Sequence, residues 1–277
     1  MQAAARERTR LLLSMRIALG LEYDGSRFLG WQTQPGAGTV QDALEAALAT
    51  IAGEPISVTC AGRTDRGVHA CEQVVHFDTR AERPGTAWVR GVNALLGEGA
   101  AVLWSCRVPE SFHARYGARS RTYRYILVNR AVRPTLSARY AGWMHAPLDV
   151  TAMREAARLL VGEHDFTAFR SAECQARTPV RTLHQLGVER LGNRIEFLLR
   201  ANAFLHHMAR NIVGTLVQVG KGARGPAWAA EVLQSRDRRC AAPTFAPEGL
   251  YLESVEYAPS WNLPRAERSP LPALLVS

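Results

Sequence analysis

Lysine is nearly absent from this chain: of 34 basic side chains only Lys221 is lysine, and the rest of the positive charge is arginine. Set against 25 acidic residues this leaves a net charge of +9 and a sequence pI near 9.9, which favours a polyanionic partner such as nucleic acid over an acidic one. A chain rich in Arg and Ala also follows from genomic base composition, so the arrangement of the charge says more than its total. The five cysteines, Cys60, Cys71, Cys106, Cys174 and Cys240, include no CxxC pair. Their odd number fits reduced thiols rather than a disulfide framework, and so a cytoplasmic location. No HExxH, no Walker lysine loop and no dinucleotide GxGxxG is present, which removes support for zinc, nucleoside triphosphate and NAD chemistry. Near the start the only apolar run is Leu11 to Leu13, too short for a signal peptide, and no segment is long and apolar enough to span a membrane.

What is present is a patterned chain of 277 residues, 47% hydrophobic, enough for one large domain or two ordinary ones. Alternation at Ile17, Leu19, Leu21 and Tyr23 predicts a strand ended by Asp24-Gly25. Thr39 then caps a helix whose apolar residues Val40, Leu44, Ala47, Leu48 and Ile51 recur at helical spacing. Strands at 56–61 and 72–79, a helix at 86–96 and a strand at 101–108 complete a βαββαβ order. The second half repeats that order loosely, with strands at 119–128, 183–190 and 194–202 and helices at 150–161, 205–219 and 227–234. A last strand through Leu250, Leu252 and Val255 precedes a Pro-rich tail. The expected division is an extension at 1–15, an N-terminal half at 16–113, a C-terminal half at 114–260 and a tail at 261–277.

Between two of the predicted strands lies AGRTDRGVHA, Ala61 to Ala70, which sets one carboxylate, Asp65, between Arg63 and Arg66 and between Gly62 and Gly67. Nearby cations lower a carboxylate's pKa, and glycines permit tight backbone turns and close ligand approach. The pattern suits a reactive acid. A surface turn with an ordinary Arg-Asp pair fits the same ten residues.

The segment from Arg107 to Arg139 carries eight arginines, Arg107, Arg115, Arg119, Arg121, Arg124, Arg130, Arg133 and Arg139, against the single acid Glu110. Phe112, Tyr116, Tyr123 and Tyr125 are interleaved with them. Arginine neutralises phosphate and an aromatic face stacks on an unpaired base, so the stripe reads as an RNA-binding surface; an edge strand with aromatic core packing is the plain alternative. On that strand Arg119, Arg121, Tyr123, Tyr125 and Leu127 share one face, and neither face is a simple core face. In NAFLHHMARNIVG, Asn202 to Gly214, Arg210 falls within an otherwise apolar helix and needs a partner, for which Asp65 is one candidate. His206 and His207 are adjacent and make a poor metal pair. DFTAFRSAECQARTPVR, Asp165 to Arg181, reads either as a binding loop or as a connection packed by Phe166 and Phe169.

In order along 16–257, these segments, with YDGSRFLGWQ at 23–32, resemble the signatures of the tRNA pseudouridine synthase A family. The resemblance implies an α+β fold of two βαββαβ (ferredoxin-like) halves, forming a shared mostly antiparallel sheet with helices packed on one face and a central basic cleft. It implies a cofactor-free, metal-free homodimer that isomerises uridine to pseudouridine in the tRNA anticodon stem-loop, typically at positions 38, 39 and 40. Asp65 would be the nucleophile, Tyr123 the tyrosine beside the base and Arg210 the partner of Asp65. Arg63, Arg66, His69 and Arg121 would bind substrate. Whether Asp65 attacks C1′ or removes the C2′ proton stays open. The competing readings are a noncatalytic RNA-binding protein and a metal-dependent nuclease using Asp65 and His69.

Overall fold

The computed structural model describes residues 14–265 and divides them into two compact units, one made of 14–119 with 255–265 and the other of 120–254. Residues 1–13 of the expected extension and 266–277 of the expected tail lie outside the described residues.

The first unit is built on β1 (Met15–Tyr23), α1 (Val40–Ala52), β2 (Thr59–Cys60), β3 (His69–Thr79), α2 (Val92–Leu96) and β4 (Ala100–Val108), the order read from the sequence. Strand β1 is central, antiparallel to β3 on one side and β4 on the other, with β2 on the far edge of β3. Its middle, Ile17 to Leu21, is buried at every position, as a strand covered on both faces must be. Helix α1 starts where the sequence places it: Thr39 accepts from the Asp42 N–H while Asp42 accepts from the Thr39 N–H, a reciprocal cap that satisfies two otherwise unpaired donors. The helix buries Val40, Leu44, Ala47, Leu48 and Ala52. Beyond β4, Phe112 is fully buried, and the rings of Tyr257 and Trp261 each lie 5.3 Å from it. Trp261, assigned to a tail by sequence, is thus packed against this core.

The second unit contains β5 (Ala118–Asn129) from Ser120 onward, β6 (Gly142–Met144), α3 (Val150–Arg158), β7 (Gly162–Asp165), β8 (Val180–Leu191), β9 (Arg194–Ala201), α4 (Met208–Gly220), α5 (Trp228–Ser235) and β10 (Leu250–Tyr257) up to Ser254. The strands run β5-β9-β8-β7, each antiparallel to the next, while β6 pairs parallel with the end of β5. Helix α4 is apolar nearly all round and correspondingly buried along its length. Mixed helices and mostly antiparallel strands match the expected α+β class. Strands β6 and β7 were not expected: three residues and the polar stretch Gly-Glu-His-Asp are too short or too hydrophilic to show alternation.

The mixed faces expected of β5 are resolved differently. Arg121, Tyr123, Tyr125 and Leu127 are all buried, so that face is a core face carrying an arginine and two tyrosines. On the opposite face Arg124 is held by Glu253 through two hydrogen bonds of 3.1 and 2.9 Å and by Glu196. Surrounded in this way, Arg124 is a structural cation.

Candidate functional site

In the first unit the Asp65 loop is held against the turn that follows β1. The Trp31 N–H donates to the Thr64 carbonyl at 3.0 Å, and the Thr64 hydroxyl meets the Tyr23 hydroxyl at 2.8 Å. A short turn closes the loop behind Asp65, whose carbonyl accepts from the Val68 N–H at 3.1 Å, with Gly67 at a positive φ of 82°. Two glycines of YDGSRFLGWQ make the close approach possible. A methyl group on Gly25 would lie 2.0 Å from the Val68 carbonyl oxygen. One on Gly30, itself at φ 102°, would lie 3.1 Å from both the Arg66 nitrogen and the Thr64 oxygen. No L side chain fits Gly30 without strain. The sequence showed the second glycine-bearing loop, but not that its function is to seat the first.

Beneath the loop, polar groups are matched to one another. The fully buried Gln73 amide donates to the Gly62 carbonyl and to the Tyr23 hydroxyl. His69, 3% exposed, accepts the Gly25 N–H at its Nδ1, and Asp24 lies 3.3 Å from the same nitrogen. Burial would raise the Asp24 carboxyl, but the adjacent His69 ring and the hydrogen bonds from the Ser26 hydroxyl and N–H outweigh it and hold the group well below the usual carboxylate range. Burial pushes the Cys60 thiol up to about 12 despite the nearby Arg63 charge, so it is an inert core group.

Within this frame Asp65 is half-buried while Arg63 and Arg66 are exposed. His69 is a buried part of the turn rather than an exposed group, and the nuclease reading that required it as a metal ligand finds its Nδ1 engaged by backbone.

In the second unit the other predicted residues occupy β5 and the start of α4. Tyr123 is 7% exposed, with the Phe204 ring edge-on at 4.8 Å and 79°. Arg121 is equally buried and donates to the Asn202 carbonyl at 2.8 Å. Arg210 lies in the first turn of α4 and is half-buried, its Nε donating to the Phe245 carbonyl at 2.8 Å. His206 and His207 precede α4 instead of starting it. His207 takes a left-handed φ of 65°, which brings the two rings to 4.0 Å rather than splaying them.

Next to Arg210, the fully buried Asn211 is a hub that the sequence reading passed over. Its amide donates to the Phe169 carbonyl at 2.7 Å, and its oxygen accepts from the Thr244 hydroxyl at 2.7 Å and Arg238 at 3.1 Å. Phe166 and Phe169 are fully buried, so the DFTAF stretch is a packed anchor, and the more exposed residues from Ser171 to Pro179 follow it. An asparagine inside an apolar helix was the available signal, since such a group is retained only when its hydrogen bonds are met.

Comparison with known proteins bears on the whole chain. A family model described as tRNA pseudouridine synthase matches residues 21–117 and 156–258. A tRNA pseudouridine synthase A of Dechloromonas aromatica is 57% identical over 250 residues, covering 90% of this chain and 95% of the relative. Proteins of the same name from Bordetella petrii and Methylobacillus flagellatus are 60% identical over 250 residues and 56% over 254 residues, covering 90% and 92% of this chain and 93% and 97% of theirs. With a family model matched over most of the chain and relatives at this identity covering nine-tenths of it, the chain belongs to the tRNA pseudouridine synthase family and is an isomerase.

Proposed function

We propose that this enzyme converts uridine to pseudouridine in the anticodon stem-loop of tRNA, typically at positions 38, 39 and 40, acting as a cytoplasmic homodimer. Asp65 is the catalytic carboxylate, Tyr123 contacts the base and Arg210 serves as counter-ion to Asp65. The observation that supports this reading best is the seating of the Asp65 loop. Its backbone is fixed by Trp31, Tyr23, Gly25 and Gly30, so a half-buried acid stands on a rigid support, as a positioned nucleophile requires. The strand order β4-β1-β3 with β2 beside β3 fits a ferredoxin-like first half.

The reaction is balanced without a second substrate. The bond from N1 to C1′ breaks, the uracil turns, C5 bonds to C1′, the C5 hydrogen leaves and N1 regains a proton. Asp65 either attacks C1′ or removes the C2′ proton, and both routes need it ionised. The uridine must first leave its stack, at a cost of roughly a few kcal/mol. Stacking against Tyr123 offsets this by about 1–3 kcal/mol. The exposed Arg63 and Arg66 would meet substrate phosphate, and the buried Arg121, which donates to the Asn202 carbonyl, would bind substrate through that segment. Incubation with unmodified tRNA carrying tritium at uridine C5 tests the reading. Tritium should pass to water while tRNA length and mass stay those of the intact chain; strand cleavage, or binding with no release, would reject it.

A further inference from the structure

Among the large hydrophobic side chains left exposed in the described residues, Tyr116 is the one aromatic, with 77% of its surface open to solvent. Of the other three aromatics that the sequence interleaves with the arginine stripe, Phe112 and Tyr125 are fully buried, and Tyr123, already assigned to the reacting base, is 7% exposed. Tyr116 does not dangle. Its ring lies 4.4 Å from the His113 ring at 35°, and His113 lies 4.8 Å from His76, so three rings stand in a row from the core outward.

The turn that presents the ring is fastened at every step. His113 Nδ1 accepts both the Arg115 and the Tyr116 N–H at 3.1 Å, and the Gly117 N–H returns to the His113 carbonyl at 2.8 Å. Ala114, fully buried, donates to His76 Nδ1 at 3.1 Å and accepts from the Tyr257 hydroxyl at 2.6 Å. Arg16 donates to the Phe112 carbonyl at 2.8 Å while paired with Asp78. Leaving a tyrosine outside forgoes the gain of burying it, and here a rigid support enforces that. Arg115 stands with its guanidinium carbon 5.6 Å from the Tyr116 ring centroid, and Arg107 and Arg119 are exposed in the same segment, where Glu110 is the only acid. A flat, pre-ordered aromatic face with an arginine beside it, in an arginine-rich segment, is complementary to a nucleobase with its phosphates, and much less so to an apolar protein surface.

We propose that Tyr116, backed by His113 and flanked by Arg115, is a stacking platform for one unpaired nucleobase of the RNA substrate. This rests on the RNA-binding part of the proposed function and not on the role of Asp65. A stacked base needs the ring but not its hydroxyl, and it adds affinity without neutralising a phosphate. Arg115 does the reverse.

Binding of unmodified tRNA would be measured over a range of salt concentrations in an Asp65→Asn background, so that substrate is not converted. Tyr116→Phe should bind within about twofold of its parent. Tyr116→Leu and Tyr116→Ala should bind roughly 5- to 100-fold more weakly, with the slope of log K against log salt unchanged. Arg115→Ala should instead flatten that slope by about 0.7–0.9, the value of one phosphate contact. Thermal melts should coincide, since the side chain is exposed. Parental affinity in Tyr116→Leu would overturn the proposal, as would a salt slope changed by Tyr116→Ala, a changed sedimentation coefficient marking the ring as a contact between copies, or failure of the parent to bind tRNA. Tight binding by the parent without hydrogen release by the wild type would reject the isomerase reading and leave the platform standing.

Discussion

Acidification should destabilise the first unit chiefly through one imidazole, His76, beside His113, whose pKa burial and the Arg16 and Arg115 charges depress in the same direction. The side chain is 6% exposed, and its Nδ1 accepts the Ala114 N–H, so a proton on that nitrogen would confront a donor instead of accepting from it. Burial, then the nearby Arg16 charge and His113, depress its pKa to about 4, with Asp78 opposing. A histidine depressed in the folded state binds fewer protons than in the unfolded chain. Its contribution is therefore complete above pH 6.5, falls as pH drops from 6.5 to 4, and is flat below that. The full difference corresponds to about 3 kcal/mol, of which about 2 kcal/mol is gone by pH 5. The depressed carboxylates Asp42, Glu54 and Asp78 give up their contributions only below their ordinary values of 3.8 to 4.5, so the window from 6.5 to 4.5 belongs to imidazole. Urea unfolding at pH 7.5 and 5.0 should show the wild type losing about 2 kcal/mol more than His76→Asn, whose amide oxygen accepts from Ala114 without titrating. Direct NMR titration of the ring gives the midpoint itself. A midpoint near 6.5, or equal losses in the two proteins, would refute the reasoning.

Three further outcomes follow from the packing around the candidate residues. Gly25→Ala places a methyl 2.0 Å from the Val68 carbonyl, so the turn that begins at Asp65 must move; kcat on tRNA should fall by about tenfold or more with Kd nearly unchanged, as measured by hydrogen release and filter binding. Gly30→Ala, at φ 102°, should cost about 1–3 kcal/mol in urea unfolding. Asn211→Ala leaves the Phe169 carbonyl and Arg238 short of a partner and should cost about 1–3 kcal/mol, read as a lowered Tm, whereas Asn211→Asp retains the acceptor for Arg238 and Thr244 and should differ from it.

Much of the scaffold was legible because its signals are local. The Thr39 capping box, the alternation of β1 and the apolar recurrence in α4 each sit within one element, and each element formed, α4 starting at Met208 and not at Leu205. What escaped depends on partners remote in sequence. On the core face of β5, Arg121 meets the Asn202 carbonyl and Tyr123 the Phe204 ring, both from the segment after β9, and no pattern within 119–128 reveals that. Trp261 looked like tail sequence because its partner, Phe112, is separated from it by the entire second unit. Of the four aromatics in the arginine stripe, only burial could show that Tyr116 alone faces solvent.

The central claim is that Asp65 carries out uridine isomerisation. It is tested most directly by single-turnover release of C5 tritium from unmodified tRNA by the wild type and by Asp65→Asn, with tRNA affinity measured alongside. The account predicts release by the wild type and none detectable from the variant at equal affinity; release by Asp65→Asn at a rate comparable to the wild type would contradict it.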